Sequence, residues 1–303
     1  MERSEHYATA EDGTRLRWTS LGPAGVPGGP PVVLIDGIGC AGYIWRSLEP
    51  ALARRRRVLH WNYRGHGGSE RPSEPEQVSV ANCARDLLSV LDEAGERRAV
   101  LVGHSFGVQV ALEVHRLAPG RVAGLVLVSG SSGHLLDTFH DVPGASAALP
   151  YWQRAVEAYP GVARFLARTV IPSEAIVRLG MAFEVNAKHL AREDLQRYLA
   201  DLADVDSPLF VRLLASAAAH DLGGHLPQVA VPTLILAGEK DTFTPAHLSV
   251  AMHAAIPGSE LLLLPGGTHV LPLEQPIACE ERIEAFLAGR CAGEPPPPPE
   301  ATA

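Results

Sequence analysis

Short apolar runs recur along the chain, each closed by a turn rich in glycine, asparagine or serine. Residues 32–35, 58–61, 99–102, 122–128, 233–237 and 260–264 read as strands. They are apolar at nearly every position instead of alternating, which marks strands covered on both faces. Between them, residues 80–94, 105–117 and 277–287 carry apolar side chains at every third or fourth place, the period of a helix with one buried stripe. Residues 6–20 alternate loosely around Asp12-Gly13, a hairpin signal. Strand and helix in alternation predict an α/β chain with a mostly parallel central sheet covered by helices on both faces.

The rhythm breaks once. From Ser129 to about Val231 there is no convincing buried strand, but helical spacing recurs around residues 151–158, 161–169, 173–183, 192–202 and 209–220. A helical insertion placed beyond a strand's C-terminal end is in position to cover a ligand crevice. The pattern therefore divides the chain into a core of residues 1–130 and 231–290, a helical cap of residues 131–230 inserted after the sixth strand, and a tail of residues 291–303. Five consecutive prolines from Pro295 give that tail a disordered or polyproline character. The insertion's aromatic residues (Phe139, Tyr151, Trp152, Phe165, Phe183 and Phe210) are expected mostly in its own core, with the remainder lining a pocket.

Composition narrows the function classes. The 303 residues are 46% hydrophobic and 20% charged, enough for a sizeable core. A formal net charge of -8 argues against nucleic acid as a partner, which would need a basic face. The single basic run, Arg54 to Arg57, falls where a helix should hand over to a strand and reads as a solvated helix end. No apolar run is long enough for a membrane span. The N-terminus lacks the apolar core of a signal peptide. The four cysteines show no CxxC spacing and read as free thiols in a reducing compartment, so the expected location is cytoplasmic.

The chemistry concentrates in Gly103-His104-Ser105-Phe106-Gly107, a G-x-S-x-G sequence between an apolar strand and a helix. That context places Ser105 on a sharp turn with its hydroxyl above the sheet. Neighbours two residues away on either side come too close for side chains, which glycine at 103 and 107 relieves. A serine needs a base to become a nucleophile. Among 13 histidines, His269 follows a glycine pair directly beyond the last strand and can swing over the serine. His104 is nearer in sequence, but its side chain leaves the turn away from the hydroxyl. For the acid, Asp241 ends the preceding strand and is preferred to Glu239 in the same loop and to Asp137, far along the chain from the strand ending at Val128. The histidines do not cluster with cysteines or carboxylates at ligand spacing, so no metal is expected, and this chemistry asks for no cofactor.

Ser105, Asp241 and His269 occur in the order of the α/β-hydrolase superfamily, and the chain resembles that family from about residue 6 to residue 287. The matching pieces are GHSFG, NYRGHGGS, VPTLILAGEKD, GGTH and the helical insertion. It is most similar to the serine esterase and lipase-like branch with a cap; dehalogenases and epoxide hydrolases of the fold carry aspartate where Ser105 stands. The resemblance implies an oxyanion hole formed by the backbone N–H groups of Ile38 and Phe106. It also implies a serine hydrolase cleaving a small to medium apolar ester, or a lactone, through an acyl-enzyme on Ser105. Hydrolysis of a C–C bond, thioester or peptide by the same residues, or a hydrolase-like ligand receptor, are the alternatives. The loop after the first buried strand, Asp36-Gly37-Ile38-Gly39, lacks the pattern of a phosphate-binding loop. It departs from the family's usual His-Gly by Asp36. An acid there would oppose an oxyanion, so Asp36 is expected to point away and pair with backbone N–H groups or a cation, with His66 and Arg64 as candidates. Asn62 replaces a frequent aspartate at a structural position.

Overall fold

A computed structural model describes residues 2–23, 29–133 and 145–291. Its centre is an eight-stranded sheet in the order β1-β2-β4-β3-β5-β6-β7-β8. β1 (Ser4–Thr9) and β2 (Arg15–Leu21) form the expected hairpin at one edge, and β2 runs antiparallel to β4 (Val58–Trp61). β3 (Val32–Ile35), β4, β5 (Ala99–His104), β6 (Val122–Val128), β7 (Thr233–Gly238) and β8 (Glu260–Leu264) are parallel.

The apolar strands are buried from both sides because successive side chains of a strand leave opposite faces. Val33 and Ile35 join one core with Leu87 of α2 (Val80–Glu93) and Val108 of α3 (Phe106–Leu117). Val32 and Leu34 join the other with Leu48 of α1 (Leu48–Leu52) and Phe286 of α11 (Pro276–Arg290). α9 (Ala246–Ala255) leads from β7 to β8, and a short α10 (Leu271–Glu274) precedes α11. The periodicity of the sequence does not reveal α10, which is only one turn long.

Among the described residues, five α-helices stand between β6 and β7: α4 (Ala145–Ala158), α5 (Pro160–Val170), α6 (Glu174–Phe183), α7 (Arg192–Asp204) and α8 (Ser207–Ala219). Their starts are set locally. Ser173 and Asp206 accept from the N–H of Ile176 and Leu209, the usual cap at a helix N-terminus. Their aromatic residues are less buried than the sequence suggests. Tyr151, Phe165 and Phe183 face solvent, and Phe210 and Trp152 meet edge to face, 6.5 Å apart, at a cavity. Phe139, Asp137 and the tail from Gly293 lie outside the described residues.

The arginine run also differs from its expectation. α1 ends at Leu52, and the arginines beyond it reach across to other elements. Arg54 and Arg56 pair with Glu280 and Glu284 of α11, and Arg57 binds Glu96 at 2.6 Å and the Ser20 hydroxyl at 3.0 Å. All four cysteines are buried and free.

Candidate active site

Every element of the site lies beyond the C-terminal ends of the parallel strands, where this topology leaves a crevice. β5 carries the chain into a turn at Ser105, whose φ of 54° and ψ of -116° are strained for a residue with a side chain. The strain is held by neighbours. The Ser105 N–H donates to the Val128 carbonyl at the end of β6 at 2.9 Å. A Cβ on Gly103 would come within 2.4 Å of the Gly107 carbonyl oxygen, and one on Gly107 within 2.4 Å of the Ile35 carbonyl oxygen. The two glycines therefore let α3 start against β3 with the serine at the apex.

His269 stands on the loop between β8 and α10, with its Nε2 3.0 Å from the Ser105 hydroxyl. Its Nδ1 faces both Asp241 oxygens, at 3.0 and 3.2 Å. The structure thus brings Ser105, His269 and Asp241 into one buried hydrogen-bonded line. Burial favours the neutral acid, but the imidazole beside Asp241 and the donors of Thr244 outweigh it and hold the carboxyl below its usual range. The carboxylate accepts from the N–H groups of Phe243 and Thr244, at 2.9 and 2.8 Å, and from the Thr244 hydroxyl at 2.8 Å. Phe243 also stacks on the imidazole, its ring centre 5.0 Å away at 24°. Glu239 lies outside this line and accepts from the Gly266 N–H at 3.2 Å.

His104 points away from the hydroxyl, as its place in the turn suggests. Its Nε2–H donates to the His269 carbonyl at 2.8 Å, fastening the two loops together. Burial, with the His269 ring next, lowers its pKa to about 3, so it is neutral. Other supports have no clear sequence signal, because they come from elements far apart in the chain. Glu274 accepts from the N–H of Thr268 at 2.8 Å and from its hydroxyl at 2.7 Å. Asn186, between α6 and α7, donates to the Gly266 carbonyl at 2.8 Å, and its own N–H donates to Glu274 at 2.6 Å.

Gly37 lies against the serine: a Cβ there would be 3.4 Å from Ser105 Cβ and 3.1 Å from His104 Nδ1. Ile38, the next residue, lines the same cavity as Ser105. Among the described residues no hydrogen-bond acceptor takes up the N–H of Ile38, and none takes up that of Phe106 at the first position of α3.

Asp36 is buried and does not line the cavity, but its partner is neither His66 nor Arg64. Its Oδ2 lies 2.8 Å from His60 Nε2. The reason is register. His60 pairs with Leu34 across β3 and β4, so its ring reaches the residue just past the end of β3. Burial alone would lower the His60 pKa, but the Asp36 carboxylate more than offsets this and raises it. Arg64 is taken by Asp86 and by Asp12, the latter at 2.7 Å, and His66 Nδ1 faces the Arg64 carbonyl at 3.1 Å. The Tyr63 hydroxyl donates to the Asp36 carbonyl at 2.6 Å, so side chain and backbone are both anchored.

The serine opens onto a cavity of about 720 Å³. Ile38 and Val270 form its floor residues from the sheet side, while Trp152 of α4, Leu179 of α6, Tyr198 of α7 and Phe210 of α8 come from the inserted helices. A buried serine hydroxyl hydrogen-bonded to an imidazole, at the edge of an apolar chamber, is an arrangement able to attack a carbonyl carbon.

Residues 30–276 match a family model described as the alpha/beta hydrolase fold. A putative carbamate hydrolase RutD of Klebsiella pneumoniae (strain 342) is 32% identical over 257 residues, 82% of this chain and 88% of that one. The crystal structure of a hydrolase from Pseudomonas aeruginosa PA01 superposes with a TM-score of 0.77 at 28% identity, covering 94% of this chain and 98% of that one. A thermophilic esterase from Thermogutta terrifontis gives 0.72 at 25% identity, over 95% and 98% of the two chains.

Proposed function

This chain belongs to the α/β-hydrolase family, and from that premise we propose that it is a serine hydrolase of the carboxylesterase type. The observation that carries the reading is the relay itself: hydroxyl to imidazole at 3.0 Å and imidazole to carboxylate at 3.0 Å, at a strained strand-to-helix turn. Ser105 is the nucleophile. His269 takes its proton as the Oγ–C bond forms, and Asp241 fixes the imidazole tautomer and stabilises its charged form. The N–H groups of Ile38 and Phe106 bind the carbonyl oxygen as it gains charge, each donor contributing about 3 kcal/mol in comparable sites. Imidazolium returns the proton to the alcohol as it leaves. Water, deprotonated by the same histidine, then releases the acid from Ser105.

The segment of residues 131–230 acts as a cap in this reading, since four of its helices wall the chamber. The substrate is a small to medium apolar ester or lactone, matched to an apolar chamber. A carbamate is the second reading, favoured by the similarity to the putative carbamate hydrolase. The same attack would give a carbamoyl-enzyme.

The test is kinetic. Purified protein should hydrolyse p-nitrophenyl butyrate, and Ser105→Ala should cut kcat/KM by about 10⁴-fold or more. A fluorophosphonate should label the wild type at Ser105 and leave the variant unlabelled. Activity retained in Ser105→Ala would remove the nucleophile assignment. Faster turnover of a matched p-nitrophenyl carbamate than of the ester would make the second reading the first.

A further inference from the structure

The loop that presents the Ile38 N–H is held from two sides. On the sheet side, His60 holds the Asp36 carboxylate at 2.8 Å and the Tyr63 hydroxyl donates to the Asp36 carbonyl at 2.6 Å. On the other side, α7 lies along the rest of the loop. The Tyr43 hydroxyl donates to Asp194 at 2.8 Å, and Arg46 pairs with the same carboxylate. The Cys40 thiol donates to the Tyr198 hydroxyl across 3.3 Å. A Cβ on Gly39 would overlap Leu202 and come within 3.2 Å of the Phe210 ring.

These contacts share one register. Asp194, Tyr198 and Leu202 are four residues apart, so they form a single stripe along α7. In that order they meet residues 46 and 43, then 40, then 39, so helix and loop run past each other in opposite directions. Ile38 comes next, two residues from Asp36 and two from Cys40. A backbone N–H between two anchors takes its direction from both. The Cys40 anchor is a lasting donor: burial, with the Asp36 carboxylate next, raises the thiol, which therefore keeps its proton. Tyr198, Leu202 and Ile38 also line the chamber, so a ligand there touches the same stripe that bears on the loop.

We propose that α7 is a strut for the oxyanion loop, with Tyr198 as a positioning residue: through Cys40 it sets the Ile38 N–H where the carbonyl oxygen gains charge. This rests on the serine-hydrolase reading and extends it, because the inserted segment then completes the catalytic geometry as well as walling the chamber. A donor set for the oxyanion acts on the transition state more than on the bound ester, so loosening the strut lowers kcat and spares KM.

Two variants remove the contact from opposite ends. Tyr198→Phe keeps the ring in the chamber and deletes the hydroxyl; Cys40→Ala deletes the thiol from a residue that does not line the chamber. On p-nitrophenyl butyrate each should lower kcat by about tenfold, with KM within about threefold. Rates are taken per site titrated with a fluorophosphonate, which removes loss of folded protein from the comparison. The double variant should lose no more than about twofold beyond either single one, since both delete one contact. Cys40→Ser, whose hydroxyl can donate in place of the thiol, should recover at least about threefold over Cys40→Ala. The Ki of an alkyl trifluoromethyl ketone should rise about tenfold in both single variants, because Ser105 adds to its carbonyl to give a hemiketal oxyanion as the serine proton passes to His269. A loss confined to KM, a fall in kcat of less than about twofold, an unchanged Ki, or a double variant showing the product of the single losses overturns the strut. The serine-hydrolase reading survives each of those results, provided that the wild type turns over ester and is labelled at Ser105. A wild type that does neither fails that reading, and the strut with it.

Discussion

His104 follows Gly103 at the end of β5, and burial leaves its imidazole neutral with a pKa of about 3. The unfolded chain takes up that proton near pH 6.5, whereas the folded one does not until about pH 3. The neutral ring therefore stabilises the fold fully above pH 6.5, and this contribution is lost as pH falls toward 3. Between pH 6.5 and pH 4 the wild type should lose about 3 kcal/mol more than His104→Gln, whose amide can still donate to the His269 carbonyl. Urea midpoints across that range would show it, and parallel curves for the two proteins would refute it. Asp36 and His60 make a second residue-scale case, a buried pair rather than a lone neutral group. His60→Ala would strand the carboxylate and should cost about 3–5 kcal/mol, with loss of turnover as the loop before Ile38 loosens. Asp36→Asn should cost less, because no charge is left unpaired. Calorimetry on the two variants separates them, and equal, small losses would show the pair to be incidental.

The elements make demands that single residues do not reveal. Gly107→Ala places a methyl 2.4 Å from the Ile35 carbonyl oxygen and 2.8 Å from that of Asp36, so the start of α3 must move off β3. Stability should fall by about 3 kcal/mol and turnover by about a hundredfold or more, since Ser105 and the Phe106 amide move with the helix. Gly120→Ala meets nothing within 4 Å and should change stability by less than about 0.5 kcal/mol. A thermal melt and an ester assay on the two variants check both; a Gly107→Ala protein as active as wild type would show that the elbow does not need the glycine. The elbow was readable because its steric demand is local, one glycine two residues to each side of a serine. The strands were readable because burial on both faces makes them apolar throughout. Asp36's partner was not readable. Its identity depends on the β3–β4 register that sets His60 beside Leu34, and nothing in the spacing of 24 residues encodes that. The clamps of Glu274 and Asn186 are hidden for the same reason. The exposure of Tyr151, Phe165 and Phe183 shows the limit of periodicity, which identifies an apolar stripe but not what covers it.

At the scale of the whole molecule, burial is unevenly shared. Every residue of β5 and β6 is buried. α5 has no buried residue, and α6 has only Val177. Local opening is governed by how much apolar surface must be exposed, so the two parts should open with different free energies. Amides of α5 and α6 should exchange with deuterium at least about a hundredfold faster than those of β5 and β6, whose opening requires unfolding of the sheet. Filling the chamber should narrow the gap, because Trp152, Leu179, Tyr198 and Phe210 then pack against a ligand instead of a void. The measurement is hydrogen exchange on the free protein and on the protein labelled at Ser105 with an alkyl fluorophosphonate. Slower exchange in α6 to α8 with β5 unchanged would mark residues 131–230 as a unit that closes over the substrate. Protection of α5 equal to that of β5 in the free protein would mean that the inserted helices and the sheet unfold together, and that substrate reaches Ser105 through an entrance already open in the folded molecule.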